Sequence, residues 1–195
     1  MSATASRTAS TSAPILDVLA ERWSPRSYDA TATVSDETLA SLLEAARWSP
    51  SASNSQPWRF IVARRGTDGF DRIVATLAGF NGAWAGSAAV LVVALAETVD
   101  SEGKPRPWAV YDLGQSIAHL SVQAHHEGLH VHQMAGFDKD AVRAAFGVDE
   151  RFDPVTIAAV GVAADADALA NETLRERETA PRTRLPLEEL VLVQA

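Results

Sequence analysis

Cysteine is missing from all 195 residues. Its absence excludes disulfide frameworks, zinc–thiolate and iron–sulfur ligation, and thiol nucleophiles together, and it fits a reducing, cytoplasmic setting. Lysine is scarce: 15 arginines and two lysines make up the 17 basic residues. The formal net charge of −8 argues against nonspecific nucleic-acid binding, which needs a broad basic face. The longest apolar run, "AAVLVVALA" at 88–96, is far short of the ~20 residues that span a bilayer. Neither nucleic acid nor membrane is therefore an expected partner. The opening "MSATASRTASTSAP" has no apolar h-region, so it does not read as a secretory signal. Its small polar composition predicts a disordered tail over 1–13, leaving 14–195 as a single domain.

Several catalytic signatures are also missing. The chain has no G-x-S-x-G elbow, no Walker A lysine and no G-x-G-x-x-G between a strand and a helix. The histidines of "HHEGLHVH" (125–132) lack a carboxylate at matching strand spacing, so helix-end and strand-face roles fit them better than a metal site. Asp165 and Asp167 lack the rest of an EF-hand loop. With no nucleophile or general base of its own in view, the protein looks like one whose chemistry is carried by a bound cofactor.

What is present alternates between helix and strand. Helical periodicity is expected over Ile15–Glu21, with Leu16 and Leu19 inward, then after the N-cap candidate Ser35 and over Asp68–Leu77. Further helices are expected over Trp108–Glu127, closed by Gly128, and over Lys139–Phe146. Strands are expected at 58–63, 88–96, 129–134 and 155–163; the second does not alternate, so it should be buried on both faces. Residues 164–186 read as irregular, followed by the apolar "LEELVLV". The class is mixed α+β around one sheet.

Two arginine islands stand out at the ends of the chain. Arg22 and Arg26 flank Ser24 in "RWSPRSYD", and Arg182 and Arg184 flank Thr183 in "RTRLP". Four guanidiniums and two hydroxyls suit a terminal phosphate monoester. Local ion pairing with Glu21, Asp29, Glu178 and Glu188 is the competing explanation. The loop "PSASNSQPW" (50–58) offers free backbone groups and two carboxamides, Asn54 and Gln56. These suit the edge of a heteroaromatic ring, or simply the geometry of a turn.

"RWSPRSYD", "LLEAARWSPSASNSQPWRFIVA" and the terminal "RTRLPLEELV" resemble the FMN-dependent nitroreductase family, and the likeness extends over about residues 15–193. The resemblance implies a nitroreductase-like α+β fold, with a mostly antiparallel central sheet flanked by helices. It further implies an intertwined homodimer with two FMN sites at its interface. On the matching positions, Arg22, Trp23, Ser24 and Arg26 would hold the FMN phosphate and the N1–O2 edge, with Arg182 and Arg184 at the phosphate. Pro50, Ser51, Ala52 and Asn54 would belong to the loop a partner lays on the flavin, and Asn81 would meet the pyrimidine edge. Met134, Ala135 and Gly136 would approach N5. The chain departs from the family where members often carry proline at Gln133 and glutamate or glycine at Ala135. The implied activity is ping-pong reduction of nitroaromatics, quinones or similar acceptors with NAD(P)H. The alternatives are a flavin-binding or storage protein, or another flavin reaction on the same scaffold, such as dehalogenation, ene reduction or flavin breakdown.

Overall fold

The computed structural model describes residues 7–193. Its elements are α1 (Asp17–Glu21), α2 (Asp36–Arg47), β1 (Trp58–Arg64), α3 (Asp68–Ala75), β2 (Val90–Glu97), α4 (Ala109–His126), β3 (His130–Met134), α5 (Lys139–Phe146), β4 (Phe152–Gly161), α6 (Glu172–Thr179) and α7 (Leu187–Leu190). The four strands form one sheet in the order β1-β2-β4-β3, every neighbouring pair antiparallel.

Strand β2 explains the architecture. Val90, Val92, Ala94 and Ala96 turn to one face, where Leu42 and Ala46 of α2 and Leu113, Ile117 and Leu120 of α4 cover them. Leu91, Val93 and Leu95 turn to the other, against Phe70 and Ile73 of α3, Val142 of α5 and Leu174 of α6. A strand buried on both faces has no polar side to alternate with, which is why its sequence is continuously apolar. Local signals set the helix starts. The Ser35 hydroxyl accepts the Thr38 N–H at 3.0 Å, and the Asp138 carboxylate does the same for Ala141 at 3.0 Å. Gly128 closes α4 with a φ of 76°, which a β-carbon would disfavour.

Three sequence expectations need correction. Residues 164–186 are not irregular, because α6 lies within them. Its "ETLRERET" has no apolar stripe, and it docks through Leu174 and the buried Glu178. In α1 the inward residue is Ala20, while Leu16 and Leu19 are 70% and 42% exposed. A helix of five residues has only one narrow face to give to α4. Strand β4 begins at Phe152, earlier than its apolar run, because Phe152 and Asp153 continue the ladder opposite Glu97 and Ala96. Of the expected tail, residues 1–6 lie outside the described residues. Beyond them, the Ala9 N–H donates to the Ala20 carbonyl at 2.8 Å.

Candidate functional site

The two arginine islands lie about 160 residues apart in sequence and meet in space. Arg182 donates through Nη1 to the Ala20 carbonyl at 2.7 Å and through Nη2 to the Arg22 carbonyl at 2.9 Å. It also donates to the Arg7 carbonyl. Arg22 approaches the Ser24 hydroxyl at 3.4 Å. Burial first, and the Arg184 charge second, push the Arg22 guanidinium below its ordinary value. Arg182 is lowered by burial and then by Arg22, Arg184 and Arg7. None of Arg22, Arg182 and Arg184 has a carboxylate within 4.0 Å among the described residues. Of the acids proposed as local partners, Glu21 faces His125 at 3.7 Å instead. Glu178 lies only at the outer limit of pairing with the Arg26 guanidinium, at 4.0 Å. The result is a cationic island held together against its own repulsion.

Arg7 belongs to this island, and sequence reasoning missed it by placing it in the tail. Its guanidinium lies 4.4 Å from the Trp23 ring centroid. The Arg22–Arg26 segment runs beside β3: Trp23 meets the His130 ring edge-on at 6.0 Å, and the His132 Nδ1–H donates to the Pro25 carbonyl at 2.8 Å. Met134 closes that strand ~13 Å further along, at 3.3 Å per residue. There Asn81 Nδ2 donates to the Gly136 carbonyl at 3.0 Å, and a β-carbon on Gly136 would lie 2.8 Å from that nitrogen. Asn81 and Met134–Gly136 therefore form one cluster, in which Ala135 and Gly136 are exposed. A single edge strand thus links a cationic end to a polar end with exposed backbone.

The remaining candidates lie elsewhere in the chain. Pro50, Ser51 and Ala52 border a cavity of about 240 Å³ with Trp108, Tyr111 and the buried Asp112. The Ala52 N–H donates to Asp112 Oδ2 at 3.0 Å, so Asp112 is a positioning residue that the sequence did not single out. Three non-glycine residues of the loop are left-handed: Ser53 (φ 53°), Asn54 (φ 53°) and Gln56 (φ 46°). Such backbone costs of order 1 kcal/mol each and persists where its surroundings impose it, most often at binding sites. Asp112 stands near the start of α4 and His125, the neighbour of Glu21, near its end. At 1.5 Å per residue, those 13 positions separate the loop from the arginine island by ~20 Å within one chain. The larger cavity, about 430 Å³, has Ser27, Tyr28, Asp29, Asp165 and Leu169 in its wall beside small side chains and contains none of the candidate residues. It has no cation in its wall, unlike the arginine island. Among the described residues no group of three or more His, Asp or Glu side chains could hold a metal ion, and no helix is long and apolar enough to cross a membrane.

Fold and site together define an α+β domain that presents an arginine island beside the edge strand of a helix-covered sheet. The family model described as the nitroreductase family matches residues 19–79 and 69–162. An "Uncharacterized 15.4 kDa protein in ask 5'region" of Mycolicibacterium smegmatis is 39% identical over 139 residues, covering 68% of this chain and 92% of its own length. The oxygen-insensitive NAD(P)H nitroreductase of Salmonella typhimurium is 26% identical over 218 residues, 89% of this chain and 96% of that one. A crystal structure described as an oxidoreductase containing FMN superposes with a TM-score of 0.89 at 33% identity, covering 97% of this chain and 96% of that chain. The chain belongs to the nitroreductase family.

Proposed function

We propose that this chain is an FMN-dependent NAD(P)H oxidoreductase, working in the cytoplasm as a homodimer with FMN between its subunits. The observation that carries this reading is the meeting of Arg22, Arg182 and Arg184 with no carboxylate paired to them among the described residues. Such an island calls for an anion with several acceptor oxygens, and the phosphate of FMN is one. The other end of β3 fits as well: Asn81 supplies a carboxamide, which the missing β-carbon at Gly136 lets pack against the exposed Ala135–Gly136 backbone. When bound, FMN would supply the redox chemistry that carries reducing equivalents from NAD(P)H to an electron-poor acceptor.

The chain's own residues bind, orient and cover. Arg22, Ser24, Arg26 and Arg184 hold the anionic and polar end, while Arg182 brackets the segment that carries Arg22. Asn81, Met134, Ala135 and Gly136 address the ring. Pro50, Ser51, Ala52 and Asn54, ~20 Å away along α4, serve the site of a second copy. That second copy has apolar surface to bury: Leu185, Leu187, Leu190, Val191, Leu192 and Val193 are all exposed in the single chain. Exposed aromatic side chains at the loop, Trp108 and Tyr111, suit a flat electron-poor acceptor such as a nitroaromatic or quinone.

The test is a visible spectrum of purified protein with FMN, followed by anaerobic NADPH and then a nitroaromatic or quinone. Bleaching by NADPH and recovery with the acceptor, with parallel double-reciprocal lines, is the expected result. FMN binding without faster NAD(P)H oxidation than free flavin marks a storage protein instead. Colourless protein that ignores FMN defeats the reading.

A further inference from the structure

Glu178 is buried, its side chain 2% exposed, in a helix that apart from Leu174 is polar and mostly solvated. A carboxylate moved out of water at such a place needs partners. Its hydrogen-bond partners are backbone N–H groups of the arginine segment, with the Arg26 guanidinium at 4.0 Å. The Arg26 N–H reaches Oε1 and Oε2 at 2.9 Å each, and the Ser27 N–H reaches Oε1 at 3.0 Å. Burial raises the Glu178 carboxyl above its ordinary value, opposed by these N–H groups and by the Arg26 and Arg7 charges. The same segment is held from its other side by His132, through the Pro25 carbonyl, and the Ser27 hydroxyl donates to the Asp165 carbonyl at 2.6 Å.

We infer that Glu178 is a positioning residue for the anion site: its carboxylate fixes the backbone at Arg26 and Ser27, and so sets where the Arg22–Arg26 side chains meet a phosphate. The inference rests on the reading of that site as the FMN phosphate site. Glu178 touches the segment and not the ligand. What matters is the reach of its oxygens more than its charge, since a second anion beside the phosphate would by itself repel it. Glutamine keeps the reach and drops the charge: its carbonyl oxygen at the Oε1 position accepts both N–H groups, and only the second Arg26 N–H contact, at Oε2, is given up to the amide nitrogen. Aspartate keeps the charge and withdraws both oxygens by one carbon–carbon bond, beyond good hydrogen-bond geometry.

The experiment titrates FMN and riboflavin into full-length wild type, Glu178→Gln and Glu178→Asp, with thermal melts of each. Riboflavin has no phosphate and reads the ring site alone. Glu178→Asp should weaken FMN about tenfold, the effect of losing roughly one charge-assisted hydrogen bond's worth of positioning, while riboflavin affinity stays unchanged. Glu178→Gln should keep FMN within about threefold of wild type. The inference is overturned by any of three results: unchanged FMN affinity in Glu178→Asp, an equal loss of FMN and riboflavin in that variant, or a loss in Glu178→Gln as large as in Glu178→Asp. Wild-type protein that binds FMN no more tightly than riboflavin overturns the phosphate-site reading itself, whatever the variants do.

Discussion

Replacing Arg22 with methionine should move ligand affinity and stability of the free protein in opposite directions. Arg22 sits among Arg182 and Arg184, and both its burial and the Arg184 charge disfavour its cationic form. Among the described residues its guanidinium has a single hydrogen-bond partner, the Ser24 hydroxyl at 3.4 Å. Methionine keeps the stem packed and removes a desolvated, repelled charge, so the free protein should melt at the same temperature or higher. The same change deletes charge-assisted bonds to phosphate of about 1.5–3 kcal/mol, a loss of roughly ten- to a hundredfold in FMN affinity. Arg182 provides the contrast. Its donors go to the Ala20 and Arg22 carbonyls at 2.7 and 2.9 Å, so Arg182→Met should lower both affinity and melting temperature. Fluorescence titration of FMN at two salt concentrations, beside calorimetry without ligand, separates the two effects. Screening should weaken wild-type binding more than that of Arg22→Met. A fall of several degrees in the melting temperature of Arg22→Met with FMN affinity intact would refute the reasoning, because Arg22 would then be structural.

Gly136→Ala should break the Asn81–Gly136 hydrogen bond, since the new β-carbon lies 2.8 Å from Asn81 Nδ2. A loss of about 1 kcal/mol in urea denaturation is expected, and adding Asn81→Ala should cost little more; full additivity would mean the two do not interact. Burial chiefly, with the His125 and Arg22 charges for one and the Arg26 charge for the other, holds His130 and His132 at about 4. Imidazoles in the unfolded chain titrate near ~6.5, so between those values the unfolded chain binds more protons and stability falls as pH falls. The slope is up to about 1.4 kcal/mol per pH unit for each ring and vanishes above ~6.5; denaturation midpoints that stay level from pH 7 to 4.5 would count against it. Leu187→Asp with Leu190→Asp, both exposed in the single chain, should give a monomer on size-exclusion chromatography with weakened FMN binding. A dimer that survives both charges would place the interface elsewhere.

How much could be read in the sequence depended on range. Strand β2 and helices α2, α4 and α5 were legible because each carries its own signal: a continuous apolar run, a capping serine or aspartate, an apolar stripe, a closing glycine. The arginine islands were legible as chemistry but not as geometry. Nothing near Arg22 in sequence says that Arg182 will donate to its carbonyl. Arg7 was lost because small polar neighbours read as tail, although its partners are the Trp23 ring and the chain near Arg182. Helix α6 was missed for a related reason. A helix normally declares itself by the face it buries, and this one buries Leu174 and a carboxylate. In "ETLRERET", Glu178 looks like any solvated acid until the backbone of Arg26 and Ser27, some 150 positions earlier, is seen to donate to it. Asp112 is the same case at the other end of α4, accepting the Ala52 N–H from inside an apolar helix face. In both places a buried carboxylate on a helix holds the backbone of a loop that carries candidate ligand contacts. Side-chain type and spacing announce the groups that touch a ligand, because recognition demands particular chemistry. The groups that aim them need only an acceptor oxygen in the right place, which many sequences can supply and only the folded chain identifies.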